Sequence, residues 1–281
     1  MAGIIIAESG STKTDWCHLR TGKKAAHYKT AGINPYLQSP EGIATMLDAE
    51  LAWERGAEAP EEVFFYGAGA TGREGVASLK KLLVKTFGTK KVTVQGDMMA
   101  AARSLCGTQK GMVCILGTGS NSCYYDGKKI AANHPSLGYI AGDEGSGNHM
   151  GKRVLQYYAY NTFDAELRGQ FEALFGADMD AIIAKLYSVP FPNRYLATFV
   201  QLLTTMRGHY MVENIVEDCL SDFFHHHILK YTQAWKEPIH FTGSIAHEFR
   251  DVLQSLCDQY ELELGTIVQS PMAGLVKFHT S

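Results

Sequence analysis

The chain has 281 residues, of which 46% are hydrophobic and 20% charged, a composition typical of a globular protein rather than a disordered one. Its formal net charge of -3 gives no electrostatic basis for binding nucleic acid or an anionic membrane surface. No apolar run approaches the ~18–20 residues of a transmembrane helix, and the N-terminus lacks the basic region of a signal peptide. We therefore expect a cytoplasmic protein with no nucleic-acid or membrane partner.

A repeated pattern of three strands begins each half of the chain. The hairpin turns match in sequence, with Gly-Lys-Lys-Ala-Ala at 22–26 and Gly-Lys-Lys-Ile-Ala-Ala at 127–132. The strands predicted around them are Ile4–Ala7, Trp16–Arg20, Ala25–Lys29, Met112–Leu116 and Cys123–Tyr125. A repeat of such long period indicates a duplicated domain.

Helices and strands alternate after each repeat. Further strands are predicted at Val63–Tyr66, Lys91–Gln95 and Ile239–Thr242. Helices are predicted at Pro40–Gly56, Glu74–Phe87, Met98–Leu105, 147–187 and 196–236, and from Ser244 to Tyr260. This pattern predicts an α/β fold of two domains with mixed sheets, 1–109 and 110–281.

Cysteine and histidine residues give little indication of a metal site. The six cysteines are scattered without a C-x-x-C pair, so buried thiols are predicted. The side chains of His225, His226 and His227 would point about 100° apart on a helix and converge poorly on one ion.

Three glycine-rich turns each follow an apolar run: Glu8–Thr14, Gly117–Ser120 and Gly243-Ser244. Glycines let the backbone approach an anion closely, and free N–H groups and hydroxyls then bind it. Turns of this kind in both halves predict a nucleotide held between two domains, and hence phosphoryl transfer. An ordinary hairpin turn and a β-bulge are the alternatives for the first two.

The first turn offers several candidate ligands. The amides of Gly10 and Ser11 and the hydroxyl of Thr12 are candidate phosphate contacts, and Lys13 would add positive charge. Glu8 is a candidate for binding Mg²⁺ through water, because this ion keeps several waters and takes few protein carboxylates.

Two further loops carry carboxylates. Asp97 lies where a predicted strand ends and a helix begins, so it could cap the helix, act as a general base, or do both. The loop Gly142–Gly147 contains Asp143 and Glu144, which could reach a ligand or form a solvated turn. Gly67–Gly72 has the form of a dinucleotide-binding turn, but that hypothesis leaves the other glycine-rich turns without a function.

Taken together, these residues resemble the N-acetylglucosamine kinase group of the sugar kinase/heat-shock/actin superfamily. The group includes N-acetylmuramate kinases and is related to the activating ATPases of benzoyl-CoA-type reductases. The resemblance extends from Glu8 to the segment Ser270–Leu275. It implies an actin-like ATPase (ribonuclease H-like) fold of two duplicated domains around a cleft, with ATP and Mg²⁺ as cofactors. The last helix is expected to pack on the first domain.

The resemblance also implies a role for each matching residue. Asp97 would be the catalytic base, Thr12 and Thr118 would contact ATP, and Gly243 and Ser244 would form the adenosine-side turn. The residues implied to contact the sugar are Asn34, Ser120, Asn121, Gly138 and Asp143. Ser9 and Ser11 stand where the usual first loop has glycines.

We therefore expect an ATP-dependent kinase that phosphorylates the 6-hydroxyl of an N-acetylated amino sugar. N-acetylglucosamine, N-acetylmuramic acid and glucosamine are not separated by the sequence. An ATP-hydrolysing activator or switch protein and a non-catalytic sugar-binding protein are the alternatives. A homodimer is expected only because dimers are the commonest assemblies of soluble enzymes.

Overall fold

The structure is a computed structural model that describes residues 3–10, 12–35, 38–51, 59–70 and 72–281. By its internal contacts the chain divides into two compact units. Unit 1 comprises Met1–Thr108 and Pro271–Ser281, and unit 2 comprises Gln109–Ser270. The predicted domain 110–281 includes the C-terminal segment, whereas the contacts place that segment in unit 1.

The described residues form ten strands and thirteen α-helices. The strands are β1 (Ile4–Ser9), β2 (Lys13–Leu19), β3 (Ala26–Ala31), β4 (Glu62–Gly67), β5 (Val92–Gly96), β6 (Gly111–Leu116), β7 (Ser120–Tyr125), β8 (Ile130–Asn133), β9 (Ile239–Thr242) and β10 (Leu264–Val268). The helices are α1 (Pro40–Glu50), α2 (Arg73–Phe87), α3 (Asp97–Cys106), α4 (Gly138–Ala141), α5 (Gly147–Ala159), α6 (Ala165–Phe175), α7 (Met179–Ser188), α8 (Pro192–Thr198), α9 (Val200–Thr205), α10 (Tyr210–His226), α11 (Ser244–Glu248), α12 (Arg250–Gln259) and α13 (Met272–Thr280).

The two sheets have the same topology. Unit 1 has the strand order β3-β2-β1-β4-β5 and unit 2 the order β8-β7-β6-β9-β10. In each, the first three strands form an antiparallel meander, and the last two run parallel to the first strand. The structure therefore confirms the predicted α/β class with mixed sheets and the repeat between the two halves.

Several predicted boundaries differ from the structure. The region predicted as one helix over 147–187 is three helices, because the side chains of Asp164 and Asp178 cap new helices at α6 and α7. Strand β10 was not predicted. Helix α1 ends at Glu50, short of the predicted Gly56, and residues 52–58 lie outside the described part of the chain.

Helices cover both faces of the unit 1 sheet. Ile5 and Ala7 of β1 belong to one buried cluster, which also contains the buried faces of α1 and α2. Ile6 points to the opposite face, where it packs with Tyr66, Ala100 of α3 and Leu275 of α13. Because side chains alternate along a strand, Glu8 shares this second face with Ile6.

Helix α13 packs closely on α3 within unit 1. A Cβ atom on Gly274 would lie 2.3 Å from the carbonyl oxygen of Ser104, so only glycine allows this approach. At the end of α13, Nε2 of His279 lies 2.8 Å from the Tyr66 hydroxyl, to which Arg103 donates at 2.7 Å. These contacts fasten the C-terminal segment to the sheet.

Unit 2 has its own aromatic core, in which Phe171, Phe199, Phe223 and Phe241 are fully buried. All six cysteines of the chain are buried free thiols, as predicted. In the described ranges, no cluster of three or more His, Cys, Asp or Glu side chains has the arrangement of a metal site. Within the same ranges, every helix is too short or too polar to traverse a lipid bilayer.

Candidate active site

The first glycine-rich turn joins β1 to β2. The amide of Gly10 donates to the carbonyl of Lys13 at 3.0 Å, and Thr12 is exposed at the tip. Nζ of Lys13 lies 2.7 Å from Oδ2 of Asp15, so its charge is paired within the sheet. Ser11 lies outside the described residues. The Gly10 amide, predicted as a phosphate contact, is thus engaged within the turn, and Thr12 carries an exposed hydroxyl.

Ser9 fastens this turn to the loop that carries Asn34. Its buried hydroxyl accepts from the amide of Ile33 at 2.8 Å and donates to the Ile33 carbonyl at 3.1 Å. The amide of Asn34 in turn donates to Oε1 of Gln38 at 2.7 Å. Ser9 therefore orders the loop that carries the candidate sugar contact Asn34.

Glu8 and Asp97 are close enough to repel each other on one face of unit 1. Glu8 is the second-last residue of β1 and pairs with Asp15 on β2 and Tyr66 on β4, and Asp97 follows the carboxyl end of β5. Burial, followed by the negative charges of Asp15 and Asp97, raises the pKa of Glu8 to about 7, although Lys13 opposes the shift. Both carboxylates thus lie at strand carboxyl ends, where open α/β sheets bind ligands.

Asp97 is the first residue of α3, after the N-cap Gly96. Burial raises the pKa of its carboxyl, and this effect is opposed by hydrogen bonds such as that from the Met98 amide to Oδ1 at 2.9 Å. The bond occupies one carboxylate oxygen at the helix N-terminus. Because Gly96 is the N-cap, Asp97 is not the capping residue of α3, and its geometry is compatible with proton transfer.

The second glycine-rich turn, after β6, is held by the N-terminus of α5. The carbonyl of Gly117 accepts from the amide of Gly147 at 2.8 Å. The carbonyl of Thr118 accepts from the amide of Asn148 at 3.0 Å and from Nδ2 of the same residue at 2.6 Å. The turn is therefore rigidly connected to the loop before α5.

Asp143 lies against this turn. Its Oδ1 accepts from the Ser120 amide at 3.4 Å and the Ser136 hydroxyl at 3.3 Å, and its Oδ2 accepts from Nδ2 of Asn148 at 2.8 Å. The backbone of Asp143 has φ +60°, a left-handed conformation that is uncommon for a residue other than glycine. Its side chain is thus held by three groups of unit 2.

The remaining candidate sugar contacts lie on the same unit. The Ser120 hydroxyl is buried and has no hydrogen-bond partner among the described residues. Oδ1 of Asn121 accepts from the Ser122 amide at 2.8 Å and from Nδ2 of Asn133 at 3.2 Å. Gly138 begins α4 with φ +70°. Ser120 therefore has a buried hydroxyl that no described residue satisfies.

The third glycine-rich turn adjoins the second. Thr242 of β9 pairs with Ile115 of β6, so both strands end at the same edge of the sheet. A Cβ atom on Gly243, which has φ +120°, would lie 2.2 Å from the carbonyl oxygen of Leu116. Glycine at this position lets the turn before Ser244 pack directly on the backbone before Gly117.

The two turns border one pocket of about 200 Å³ in unit 2. Its lining includes the sequence-predicted residues Thr118 and Ser244, which are far apart in the chain. The other lining residues are Gly117, Gly147, Ala197, Val200, Thr204, Ile245 and Glu248. Pockets for whole small-molecule ligands span about 300–1,000 Å³, so this one fits part of a nucleotide.

Several lining residues were missed by sequence reasoning. Ala197, Val200 and Thr204 lie on α8 and α9, which have no chemical motif that marks them. Asn148, which contacts both Thr118 and Asp143, follows the Gly142–Gly147 loop directly. Its position next to that loop is the signal that could have identified it.

Comparison with known proteins identifies the relatives of this chain. It matches no family model and no curated protein sequence. It is 40% identical to a Porphyromonas gingivalis protein described as a putative N-acetylglucosamine kinase, over 98% of each chain, with a TM-score of 0.93. A Chromobacterium violaceum protein of the same description shares 17% identity over 99% of each chain, with a TM-score of 0.76.

A more distant similarity concerns the fold alone. The ROK-family glucokinase of Streptomyces griseus, solved with glucose and AMPPNP, is 16% identical over 99% of this chain and 98% of its own, with a TM-score of 0.60. This similarity confirms the expected actin-like ATPase fold. Because 40% identity extends over nearly the whole chain, the resemblance seen in the sequence is also confirmed: the chain belongs to the N-acetylglucosamine kinase family.

Proposed function

We propose that this chain is an ATP-dependent kinase that phosphorylates the 6-hydroxyl of an N-acetylated amino sugar. N-acetylglucosamine is the first candidate, as in the description of the 40% identical relative, and N-acetylmuramic acid is the second. The observation that carries the proposal is the position of the partly buried Asp97 carboxylate, which follows the carboxyl end of β5 in the same unit as the first glycine-rich turn. Burial also raises its pKa.

Asp97 would act as the general base. The 6-hydroxyl oxygen of the sugar would attack the γ-phosphorus of ATP, and the proton of that hydroxyl would pass to the Asp97 carboxylate. A new O–P bond forms as the bond between the γ-phosphorus and the leaving ADP oxygen breaks. A raised pKa makes the carboxylate a better proton acceptor at neutral pH. General-base catalysis of this kind contributes about 10²–10⁴-fold in rate.

In unit 2, the nucleotide base would bind in the pocket beside the second and third glycine-rich turns. The unit 2 pocket has apolar walls at Ala197, Val200 and Ile245, which suit the face of a purine base, and polar groups at Thr204 and Glu248. Its edge at Thr118 and Ser244 leads to the two glycine-rich turns of that unit. In unit 1, the exposed hydroxyl of Thr12 would contact a phosphate oxygen.

Mg²⁺ fits the residues of unit 1. Glu8 and Asp97 are desolvated carboxylates whose charges repel each other, and a cation would relieve this repulsion. Mg²⁺ keeps several waters and takes few protein carboxylates, so two carboxylates suffice for such an ion. Glu8 would hold the ion through water, and the ion would neutralise charge on the phosphate oxygens.

The proposed sugar contacts are Asn34 in unit 1 and, in unit 2, Ser120, Asn121, Gly138 and Asp143. The buried, unpartnered hydroxyl of Ser120 supports this assignment, because a sugar hydroxyl would satisfy it. The order that Ser9 and Gln38 impose on the Asn34 loop also supports it, because a preformed loop loses less entropy on binding.

A coupled ADP-release assay tests the function. The purified chain is given ATP, Mg²⁺ and, in turn, N-acetylglucosamine, N-acetylmuramic acid, glucosamine, glucose or no sugar. We expect ADP release only with an N-acetylated amino sugar, and a product phosphorylated at the 6-position. Sugar-independent ADP release would instead identify an ATPase switch, and sugar binding without ADP release a binding protein.

Two matched substitutions test the base. Asp97→Asn keeps an oxygen that can accept from the Met98 amide but cannot accept the proton, so kcat should fall by about 10²–10⁴-fold with the thermal midpoint little changed. Asp178→Asn makes the same change at the N-cap of α7 and should leave kcat unaltered. Equal turnover in the two variants would remove the proposed role of Asp97. A homodimeric state, measurable by light scattering, and a cytoplasmic location stay predictions.

A further inference from the structure

One buried side chain joins the candidate nucleotide turn to the candidate sugar residue. Nδ2 of Asn148 donates to the Thr118 carbonyl at 2.6 Å and to Oδ2 of Asp143 at 2.8 Å. A side-chain amide has two N–H donors, and both are used here. Asn148 therefore lies between residues with different proposed ligands.

The oxygen atom of this side-chain amide accepts no hydrogen bond from the described residues. Asn148 is fully buried, and its Oδ1 has no hydrogen-bond partner within the described ranges. The orientation of the amide plane is therefore set by its two donor bonds. When either the Thr118 carbonyl or the Asp143 carboxylate moves, the side-chain amide has no third hydrogen bond among the described residues to keep its plane in the previous orientation.

Asp143 is responsive to such a change. Its backbone is in the left-handed region, where a residue other than glycine is held only by its surroundings. Its Oδ1 contacts the Ser120 amide, which ends the turn containing Thr118. A Cβ atom on Gly119 would lie 2.9 Å from Oδ2 of Asp143, so the turn and the carboxylate are in direct contact. The two ligand sites thus share one small hydrogen-bonded group.

We propose that Asn148 is a positioning residue that couples nucleotide binding at Thr118 to sugar binding at Asp143. A nucleotide that orders the Thr118 turn fixes the amide, and the amide then fixes the Asp143 carboxylate in the orientation that receives the sugar. The second ligand loses less conformational freedom because the first has already ordered the shared group. By reciprocity, the sugar tightens nucleotide binding by the same factor. This inference rests on the proposed function.

The experiment measures the coupling factor directly. Titration calorimetry gives the Kd of N-acetylglucosamine without nucleotide and with saturating AMPPNP and Mg²⁺. We expect the sugar Kd of the unaltered protein to fall at least about fivefold when AMPPNP is present. In Asn148→Ala the ratio of the two Kd values should fall below about twofold, because the connection between the turn and Asp143 is gone.

A control on the same helix separates coupling from stability. Tyr158→Phe removes one hydrogen bond from α5, that from the Tyr158 hydroxyl to Oε1 of Glu172 at 3.0 Å, and touches neither Thr118 nor Asp143. This variant should keep the full Kd ratio even where its thermal midpoint falls. A merely structural role for Asn148 predicts that its variant loses stability but keeps the ratio, and that result would overturn the proposal.

A measurement on the unaltered protein covers the case in which Asn148→Ala does not fold. N-acetylglucosamine alone should slow amide hydrogen exchange at 117–118, which carry no proposed sugar contact, and AMPPNP alone should slow it in 143–146. Unchanged exchange in the distant segment refutes the coupling, as does a Kd ratio of one in the unaltered protein. Absence of any sugar binding is a different outcome, because it refutes the proposed function itself.

Discussion

The docking of α13 should weaken in acid because of His279. The ring of this residue stacks on Phe64 with centroids 3.8 Å apart, and its Nε2 lies 2.8 Å from the Tyr66 hydroxyl. Burial, and then the positive charge of Arg103, lowers the pKa of His279 from 6.5 to about 4. The folded chain therefore favours the neutral ring.

The size of the effect follows from these two pKa values. The stabilisation is complete above the unfolded value of 6.5 and is lost as the pH falls towards 4. The gap corresponds to at most about 3.4 kcal/mol, at about 1.36 kcal/mol for each pH unit. Because the ring is only partly buried, solvent screening reduces this to about 1–2 kcal/mol, of which roughly 1 kcal/mol is lost by pH 5.

Hydrogen exchange of 272–280 at pH 7.5 and pH 5.0, corrected for intrinsic rates, measures the local opening of this helix. A loss of about 1 kcal/mol lowers protection about fivefold. In His279→Gln, which cannot titrate, that additional loss should disappear, while groups such as Glu8 affect both proteins alike. If protection in the two proteins depends on pH in the same way, the pKa of His279 is not what couples acid to this helix.

Three substitutions test close packing elsewhere. Gly274→Ala would push a methyl group against the Ser104 backbone, so α13 should lose protection from exchange; retained protection would contradict the close approach. In Gly243→Ala, the added methyl group would overlap the Leu116 carbonyl at a backbone with φ +120°. We therefore expect a loss of about 1–3 kcal/mol or more in the free energy of unfolding of unit 2, measured with denaturant. An unchanged midpoint would contradict this close contact. Ala197→Phe should fill the pocket and raise the AMPPNP Kd at least about tenfold in calorimetry. An unaltered affinity would mean that the purine base of the nucleotide does not bind in this pocket.

The elements with strong local signals could be predicted from the sequence. The hairpin turns at Gly22 and Gly127 and the apolar strands before them fix the repeat, because turn chemistry and alternation act over a few residues. Strand β10 was missed because its sequence Leu-Gly-Thr-Ile-Val has a glycine in its interior, and its place is set by pairing with β9. Tertiary pairing, which no local pattern reports, defines this strand.

Some residues of the candidate site could likewise be predicted from the sequence, and others could not. Thr118 and Ser244 could be found because each lies in a glycine-rich turn after a strand, and both line the same pocket. Val200 and Thr204 could not, because ordinary helical residues become a binding wall only through the packing of α9. The contacts of Asn148 depend on the left-handed backbone of Asp143, which the residue type itself disfavours.

The assignment of residues 271–281 to unit 1 has a consequence for biosynthesis. Unit 2 is one continuous segment of the chain, so all of it is translated before α13. Until α13 is synthesised, Leu275 cannot pack on Ile6 and Tyr66. The apolar surface that these two residues form in unit 1 therefore stays exposed. The unit translated first is thus the last to mature, and nascent chains that stall before residue 271 should be preferred clients of chaperones that recognise apolar segments.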